Sequence, residues 1–472
     1  MSGLQRRHVV DASRYFDRWL AFRLDADRVP GVQAAILHDD EVVLATAHGV
    51  ADVVTGAPLT NAHLFRIASH SKTFTATAVM QLVERGALRL DDTVGERIAE
   101  LASSPIAAVT IRELLSHAGG VVRDGWDGDF WQLDRPFPDR AELLRIAADA
   151  SAVLDRNERF KYSNVGYSLL GVMIEDAAGM PYRQYVAEHI VGRLGLRDTG
   201  PDLDAARADD YATGHASLAY AERRVPIDHI DTEAMSSATG VYSTASDLVR
   251  YAAAHFDGDV RLLGPDAKRQ MQHGAWKIDG TESEYGLGFE ISTIGGRRVL
   301  GHGGGYPGHI TRTYFDPVDR VAVSVLTNAI DGPALGMATV AVKLIGLAAR
   351  TDPPAEERDD VDLDSFSGRF ASLWSVYDIA VLGGRLYQLS PSLVDPTVAP
   401  TRLEVVGADT LRIADTAGYG SRGEVLSFDR RPDGSIRSVR GGSGSSAYPV
   451  DEFRAAVDRR DRVRLGAPVR PA

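Results

Sequence analysis

The stretch Phe65–Leu82 reads FRIASHSKTFTATAVMQL, and the interpretation of the rest of the chain starts from it. It places Ser69 and Lys72 three residues apart at the head of a strongly helical run. Side chains at positions i and i+3 share one face of a helix, so the hydroxyl and the amine can meet. A serine is a poor nucleophile unless a neighbouring base takes its proton, and burial at a helix start lowers the pKa of a lysine. The Ser-x-x-Lys spacing therefore indicates an acyl-enzyme nucleophile, with two solvated helix residues as the alternative.

The composition of the 472-residue chain is typical of a protein with two or three domains, or with one large enzyme domain and an appendage. The net charge of -13 argues against general binding to nucleic acid or to an anionic membrane. No apolar run is long enough to span a bilayer, and the absence of cysteine excludes disulfides and a thiol nucleophile. The start, Met1–His8, lacks a long apolar core, so we expect a cytoplasmic protein.

The histidines near the central stretch do not have the spacing of metal ligands. His63, His70 and His117 lack a pattern such as His-Glu-x-x-His, and the acidic loop 124–129 has no ordered ligand spacing. We expect these histidines to be structural, and we expect no metal or other cofactor.

Hydrophobic periodicity predicts an α+β fold, in which an antiparallel sheet is flanked by helices, followed by a small all-β barrel. Early strands at 31–50 and late strands at 298–300 and 311–327 enclose the helical part of the chain, so the sheet is assembled from both ends. A capping box at Thr110 and Glu113 marks one short helix that Gly119 and Gly120 end. The predicted helices cover residues 11–28, 69–85, 109–117, 141–150, 165–178 and 336–349.

The chain changes character after residue 350. A charged, proline-containing segment, 351–361, reads as a linker. Short strands with Gly, Asp and Pro turns follow, and their regular spacing predicts a barrel or sandwich. We therefore expect a catalytic domain at 1–350, a β-barrel domain at 362–460 and a tail at 461–472.

Two further stretches support the central one. Tyr162 and Asn164 stand two residues apart just before a helix, so both side chains can face one cavity. A phenol beside an ammonium is a plausible proton relay. The alternative is a buried tyrosine and a helix-capping asparagine. The run 299–309, VLGHGGGYPGH, is a glycine strand along which a peptide-like substrate can align, or else a glycine-rich turn. One N–H of this strand, with that of Ser69, can form an oxyanion hole.

The three stretches together resemble the motifs of the penicillin-recognising serine enzymes, in the class C β-lactamase and DD-peptidase branch. The motifs are Ser-x-x-Lys, Tyr-x-Asn and a Lys- or His-led glycine strand, and they stand in the family's order. The Leu-Leu-Ser-His segment before Gly119 and the segment 238–248 are similar to flanking motifs of the same branch. The resemblance covers residues 10 to 348 and implies the β-lactamase/transpeptidase-like fold.

By that resemblance, Ser69 is the acylated nucleophile, Lys72 and Tyr162 transfer protons, and Asn164 contacts the substrate amide. The oxyanion hole is formed by the backbone N–H groups of Ser69 and Gly305, on a strand where Gly303 and Gly304 bind substrate. Which of the proton-transfer pair is the base stays open. His302 stands where many β-lactamases carry lysine, which fits esterases, D-amino-acid peptidases and acyl transferases better than a dedicated β-lactamase.

Two more segments are candidates for substrate contacts. The aromatic loop with Trp126, Phe130, Trp131 and Phe137 suits the lining of a cleft, although anchors of a surface loop have the same composition. The barrel segment is similar to the lipocalin-like domains of some members of this branch, and its Arg437 and Arg440 are candidates to bind a substrate carboxylate, if they are not simply solvated.

These observations predict a serine acyl-enzyme hydrolase or acyltransferase for peptides or peptidyl esters with a D-residue at the acylating position. One alternative is a penicillin-binding-protein-type thioesterase that macrocyclises nonribosomal peptides and receives its peptidyl thioester from a carrier protein. A second, of another class, is a peptide-binding protein that keeps the fold without turnover. We expect no nucleic-acid or membrane partner.

Overall fold

A computed structural model describes residues 3–149, 152–350, 361–418, 420–441, 444–460, 462–463 and 470–471. Over these residues the chain divides into two compact units. One holds residues 28–339, and the other holds the N-terminal segment to Asp27 together with the chain from Val340 onward. The predicted linker lies outside the described residues except for Val361, and the predicted domain boundaries stay a prediction.

The helices and strands alternate irregularly along the first 350 residues, and strands dominate the remainder. The helices are α1 (Arg6–Asp27), α2 (Ser71–Glu84), α3 (Val94–Arg97), α4 (Ile111–Leu115), α5 (Arg140–Asp149), α6 (Asn164–Ala178), α7 (Tyr182–Val186), α8 (Gly192–Leu194), α9 (Ser236–Thr239), α10 (Ala245–Ala253), α11 (Pro265–Met271), α12 (Ala334–Ala348) and α13 (Val450–Asp458). The strands are β1 (Gly31–His38), β2 (Glu41–Gly49), β3 (Phe65–Arg66), β4 (Gly214–His215), β5 (Pro226–Ile227), β6 (Tyr242–Ser243), β7 (Trp276–Lys277), β8 (Glu284–Tyr285), β9 (Glu290–Ile294), β10 (Arg297–Tyr306), β11 (His309–Asp316), β12 (Val321–Thr327), β13 (Gly368–Ala371), β14 (Val376–Leu382), β15 (Arg385–Leu389), β16 (Thr401–Gly407), β17 (Thr410–Asp415), β18 (Val425–Arg430), β19 (Ile436–Arg440) and β20 (Ser446–Pro449).

The main sheet of the first unit is antiparallel, with the strand order β2-β1-β12-β11-β10-β9-β8-β7. The early hairpin β1–β2 joins the late strands through β12, where Ala35 lies opposite Ser324. This confirms the predicted α+β fold, with a sheet built from both ends of the sequence and flanked by helices. The short strands β7 and β8 are too brief for a periodicity to reveal, and the sequence interpretation did not include them.

Helix α2 is buried along nearly its whole length, although it is rich in threonine. The hydroxyls of Thr75 and Thr77 donate to the carbonyls of Ser71 and Thr73, one turn back, so these polar groups are satisfied inside the core. Phe74 stacks on Tyr251 with ring centroids 3.9 Å apart. Burying a side chain of this size contributes roughly 1.5–3 kcal/mol. The nucleophile segment is therefore attached to a rigid element.

Three predicted helices had wrong boundaries, and one of them is α1, which begins at Arg6 rather than at residue 11. Ser69 does not lie in α2, which begins at Ser71, but in a preceding 3-10 turn, Ala68–His70. Ala68 has a φ of 46°, a left-handed conformation that interrupts the helical path, which composition does not reveal. Helix α4 has the predicted capping box but ends at Leu115, with Ser116 as its C-cap, because His117 has a φ of 59°.

The second unit contains a closed barrel of the strands β13 to β20 in sequential order, which confirms the predicted all-β domain. Its interior is filled by large apolar side chains, among them Phe366, Phe370 and Phe428. Helix α1 belongs to this unit, and its Asp11 accepts a hydrogen bond from the Gly383 N–H at 3.0 Å.

Candidate active site

Ser69 lies on a turn that its neighbours hold firmly. The preceding strand β3 pairs with β6, and the backbone N–H of Arg66 donates to His309 Nδ1 at 2.9 Å. The Arg66 guanidinium is fully buried and donates to Asp202 at 2.9 Å. On the other side of the turn, the Ser71 hydroxyl donates to the Ala68 carbonyl at 2.6 Å. These bonds fix the backbone on both sides of the nucleophile.

Lys72 is the nearest amine to Ser69, as the spacing predicts, with its Nζ 3.2 Å from Ser69 Oγ. The same amine donates to Asn164 Oδ1 at 2.7 Å and to the Ala238 carbonyl at 2.8 Å. Its side chain is wholly buried, and burial holds the pKa of Lys72 well below its usual range. The carboxylate of Asp124 opposes this lowering of the pKa, and Arg123 adds to it.

Tyr162 reaches the same serine, and its hydroxyl donates to Ser69 Oγ at 2.7 Å. Burial raises the pKa of Tyr162 above its usual range, although the bond to Ser69 opposes this effect. Ser163, rather than Asn164, caps helix α6, with its Oγ accepting from the Gly166 N–H at 2.8 Å. Asn164 is therefore not needed as a cap, and its amide faces Lys72.

His302 lies in the same region of the molecule, but its ring bonds point elsewhere. Its Nδ1 lies 2.6 Å from the Gly303 carbonyl, and its Nε2 lies 3.0 Å from the hydroxyl of Tyr285. Its ring centroid is 6.4 Å from that of Tyr162. Burial, with a smaller effect of Lys72, lowers the pKa of His302 to about 3, so the imidazole is neutral near pH 7. A lysine at this position would instead bring a positive charge to the site.

The glycine run belongs to strand β10 and is not a turn. A Cβ at Gly304 would lie 2.7 Å from Thr311 Oγ1 and closer still to the Ile67 carbonyl, so only glycine lets the strand approach the nucleophile turn. Pairing with β9 stops at Gly301, and in the described chain no strand covers the edge from His302 to Tyr306 on that side. Gly305 is exposed on this edge, and the carbonyl of Gly303 accepts from His302.

The two remaining candidates lie in different parts of the chain. The Trp131 indole donates to Asp124 Oδ1 at 3.1 Å and packs on Phe130 and Phe137, so the aromatic loop is attached to the site. Arg440 is exposed at the end of β19 in the barrel unit, and its predicted carboxylate contact stays a prediction.

The sequence interpretation missed several groups that touch the constellation. Asp124 accepts from Asn164 Nδ2 at 2.7 Å, and the Ala238 carbonyl accepts from Lys72. His117, which the sequence interpretation named and expected to be structural, packs against Tyr162 with ring centroids 4.3 Å apart and accepts from the Ser163 N–H at 3.2 Å, and its structural role stays a prediction. A backbone carbonyl carries no sequence signal, whereas Asp124 stood in a loop that the sequence had already singled out.

The described residues contain no group of three or more His, Cys, Asp or Glu side chains arranged to hold a metal ion. Among the described helices, none is long and apolar enough to cross a bilayer.

The fold and the serine–lysine–tyrosine arrangement define an enzyme of the serine-hydrolase type. Residues 16–345 match the Beta-lactamase family, and the chain belongs to that family. Penicillin-binding protein 4* of Bacillus subtilis is 29% identical over 285 residues, which are 57% of this chain and 62% of that protein. The match thus spans less than two thirds of this relative's length.

Solved structures extend the similarity to nearly the whole chain. The octameric penicillin-binding protein homologue from Pyrococcus abyssi has a TM-score of 0.65 and 25% identity, over 92% of this chain and 99% of that one. SurE with D-Leu, a thioesterase of the penicillin-binding-protein type, has a TM-score of 0.58 and 25% identity, over 94% of this chain and 100% of SurE. The D-amino acid amidase from Ochrobactrum anthropi, complexed with L-phenylalanine amide, has a TM-score of 0.60 and 25% identity, over 72% of this chain and 98% of the amidase.

Proposed function

We propose that the protein is a serine acyl-enzyme hydrolase for peptides, peptide-like amides or esters with a D-residue at the acylating position. The observation that carries the proposal is the position of Ser69 Oγ, 2.7 Å from the Tyr162 hydroxyl and 3.2 Å from Lys72 Nζ. A serine between a buried amine and a buried phenol has both a proton acceptor and a proton donor at hand.

We take the neutral amine of Lys72 as the base. Lys72 Nζ has three hydrogen-bond partners, of which Asn164 Oδ1 and the Ala238 carbonyl can only accept, so a neutral amine gives each of these two one N–H. The lone pair of that neutral amine then faces Ser69 Oγ, 3.2 Å away, where it is placed to take the serine proton, while Tyr162 donates to Ser69 Oγ. Burial lowers the pKa of Lys72 and raises that of Tyr162, and both shifts favour the uncharged form of the group.

In the reaction, Ser69 Oγ forms a bond to the substrate carbonyl carbon as Lys72 takes the hydroxyl proton. Backbone N–H groups of Ser69 and Gly305 are proposed to hold the oxyanion. The bond from the carbonyl carbon to the leaving group then breaks, and the leaving group takes the proton, from the Lys72 ammonium directly or through the Tyr162 hydroxyl. Water repeats the sequence on the acyl-enzyme, which releases the acid and restores the serine.

The substrate class rests on the glycine strand and on the similar proteins. The open edge of β10, a strand that approaches the nucleophile turn at Ile67, offers backbone groups to an extended peptide. Two similar proteins carry D-amino acids in their descriptions, the D-amino acid amidase and SurE with D-Leu. Neutral His302 leaves the site with less positive charge than a lysine would give, which favours amide and ester substrates over a dedicated β-lactamase role.

The test measures hydrolysis of paired D- and L-phenylalanine amides and methyl esters by chromatography. We expect the wild type to release the D-acid at least about tenfold faster than the L-acid, and Ser69→Ala to release neither above background. Equal rates for both enantiomers would refute the D-residue assignment, and full activity of Ser69→Ala would refute the nucleophile.

The second candidate is a peptide cyclase of the thioesterase type. The similarity to SurE, which extends over 94% of this chain and therefore includes the barrel region, favours it. In that case an amine of the substrate replaces water, and a carrier protein delivers the peptidyl thioester. Incubation with a peptidyl thioester that ends in a D-residue separates the two, because a hydrolase yields the linear acid and a cyclase the macrocycle. The cytoplasmic location stays a prediction.

A further inference from the structure

Asp124 belongs to none of the three motifs, yet its carboxylate ties three side chains to the site. Oδ1 accepts from Asn164 Nδ2 at 2.7 Å and from Trp131 Nε1 at 3.1 Å, and Oδ2 accepts from Arg123 Nε at 3.2 Å. The side chain is only 16% exposed. Such a set of donors is unusual for an aspartate in a loop, where a solvated carboxylate is the ordinary case.

The loop that carries Asp124 is also fixed through its backbone. The Arg123 carbonyl accepts from the N–H groups of Asn164 and Val165 at 2.9 and 3.1 Å, and the Val122 carbonyl accepts from Ser163 Oγ at 2.7 Å. Trp131 in turn packs in a cluster of aromatic side chains. The carboxylate is therefore held in place independently of any substrate.

The fixed carboxylate of Asp124 decides which end of the Asn164 amide faces Lys72. An amide group can be turned over with almost no change of shape, so its neighbours decide which end carries the oxygen. A carboxylate can only accept, and it therefore takes the NH₂ end and leaves the oxygen for Lys72. The reverse orientation would set the amide oxygen against the carboxylate and the NH₂ group against the donors of Lys72.

We propose that Asp124, anchored by Trp131, is a positioning residue that holds the Asn164 amide with its oxygen toward Lys72. The proposal rests on the proposed function for the roles of Ser69 and Lys72. Asp124 does not touch the reacting atoms. It keeps the Asn164 oxygen in place as an acceptor for Lys72. The lysine lone pair is thereby directed toward the serine.

The carboxylate has a second effect, on the proton affinity of Lys72. The charged and titratable groups of the described chain that act on or pack against this amine are Asp124, Arg123, Tyr162, Tyr167, His117 and His302. Asp124 is the carboxylate that raises the pKa of Lys72, against burial and Arg123, which lower it. Without the negative charge, Lys72 loses its proton at lower pH.

The test uses the rate at which a fluorophosphonate labels Ser69, measured by intact mass from pH 5 to pH 10. This probe does not depend on the D-residue assignment, so a failure of the substrate proposal leaves the measurement valid. Absence of labelling of the wild type would instead overturn the proposed nucleophile. The variants are Asp124→Asn, which keeps an acceptor oxygen, Asp124→Ala, which removes it, and the control Asp129→Asn, which removes an exposed carboxylate from the same loop.

We expect Asp124→Ala to label about ten- to a hundredfold more slowly, as for loss of a charge-assisted hydrogen bond. Asp124→Asn is expected to keep the plateau rate within about threefold, with its pH midpoint lower by about one unit, and Asp129→Asn to match the wild type. The proposal is overturned if Asp124→Ala labels as fast as Asp129→Asn, or if the midpoint of Asp124→Asn does not move. Should Asp124→Ala not fold, the midpoint of Asp124→Asn decides, because a merely structural role would leave it unchanged.

Discussion

A single methyl group at Gly304 should separate the glycine strand from the nucleophile turn. A Cβ there would lie 2.7 Å from Thr311 Oγ1, 2.9 Å from the Ile67 carbonyl carbon and closer still to its oxygen. All three are inside ordinary van der Waals separation, so the strand must withdraw by about 1 Å. The backbone atoms of Ile67 cannot rotate away as a side chain can, and Ile67 stands only two residues before Ser69.

The expected cost follows from that displacement. A misplacement of about 1 Å costs on the order of a hundredfold in rate, or about 2.7 kcal/mol in the barrier. Overpacking of this kind also destabilises by about 1–3 kcal/mol. The assay compares Gly304→Ala with the wild type in fluorophosphonate labelling rate and in free energy of unfolding from urea titration.

Gly305→Ala is the matched control for stability. A Cβ at Gly305 has Ile310 Cδ1 at 3.5 Å as its nearest neighbour, an ordinary contact, so its free energy of unfolding should stay within about 0.5 kcal/mol of the wild type. A Gly304→Ala protein with wild-type labelling rate and stability would refute the reasoning that close backbone approach requires the glycine.

Three further predictions concern the groups around the nucleophile. Tyr162→Phe should lower kcat/KM by about 10²–10⁴-fold, because it removes the hydroxyl that donates to Ser69, while thermal unfolding stays nearly unchanged. Ser163→Ala should lower the free energy of unfolding by about 1 kcal/mol, measured by urea titration, because the cap of α6 is lost. The free energy of unfolding should fall as the pH drops from 6.5 toward 3, because burial lowers the pKa of His302 and of His255 to about 3 while unfolded histidines take up protons near 6.5. The two neutral imidazoles therefore contribute their full share to the free energy of unfolding above pH 6.5. A double variant, His302→Asn with His255→Asn, should lose less stability as the pH falls, and an equally steep loss would contradict the assignment to these two histidines.

The sequence was sufficient for the local part of the site. The spacing of Ser69 and Lys72 brings them together even though the serine lies in a 3-10 turn rather than in the helix, because both helical forms place residues three apart on one side. The hairpin 31–50 and the barrel strands followed from alternation and turn residues, which are also local signals.

The long-range part of the site needed the structure. Tyr162 lies 93 positions from Ser69 in the sequence. The resemblance to a family suggested that the two residues meet, but no periodicity in the sequence predicts it. The pairing of His302 with Tyr285 and the role of Gly304 against Ile67 depend on how β10 lies beside the turn. Asp124 was visible only as one of several acidic residues in an aromatic loop, because its partner Asn164 is forty residues away.

The central claim is that one hydroxyl of this chain is a nucleophile prepared by a buried amine and phenol. It is tested most directly by intact mass and peptide mapping of the wild type and Ser69→Ala after reaction with a fluorophosphonate. The account predicts one adduct per wild-type chain, mapped to Ser69, and none on the variant. A folded wild type that carries no adduct, or an adduct on another residue that persists in Ser69→Ala, would contradict it.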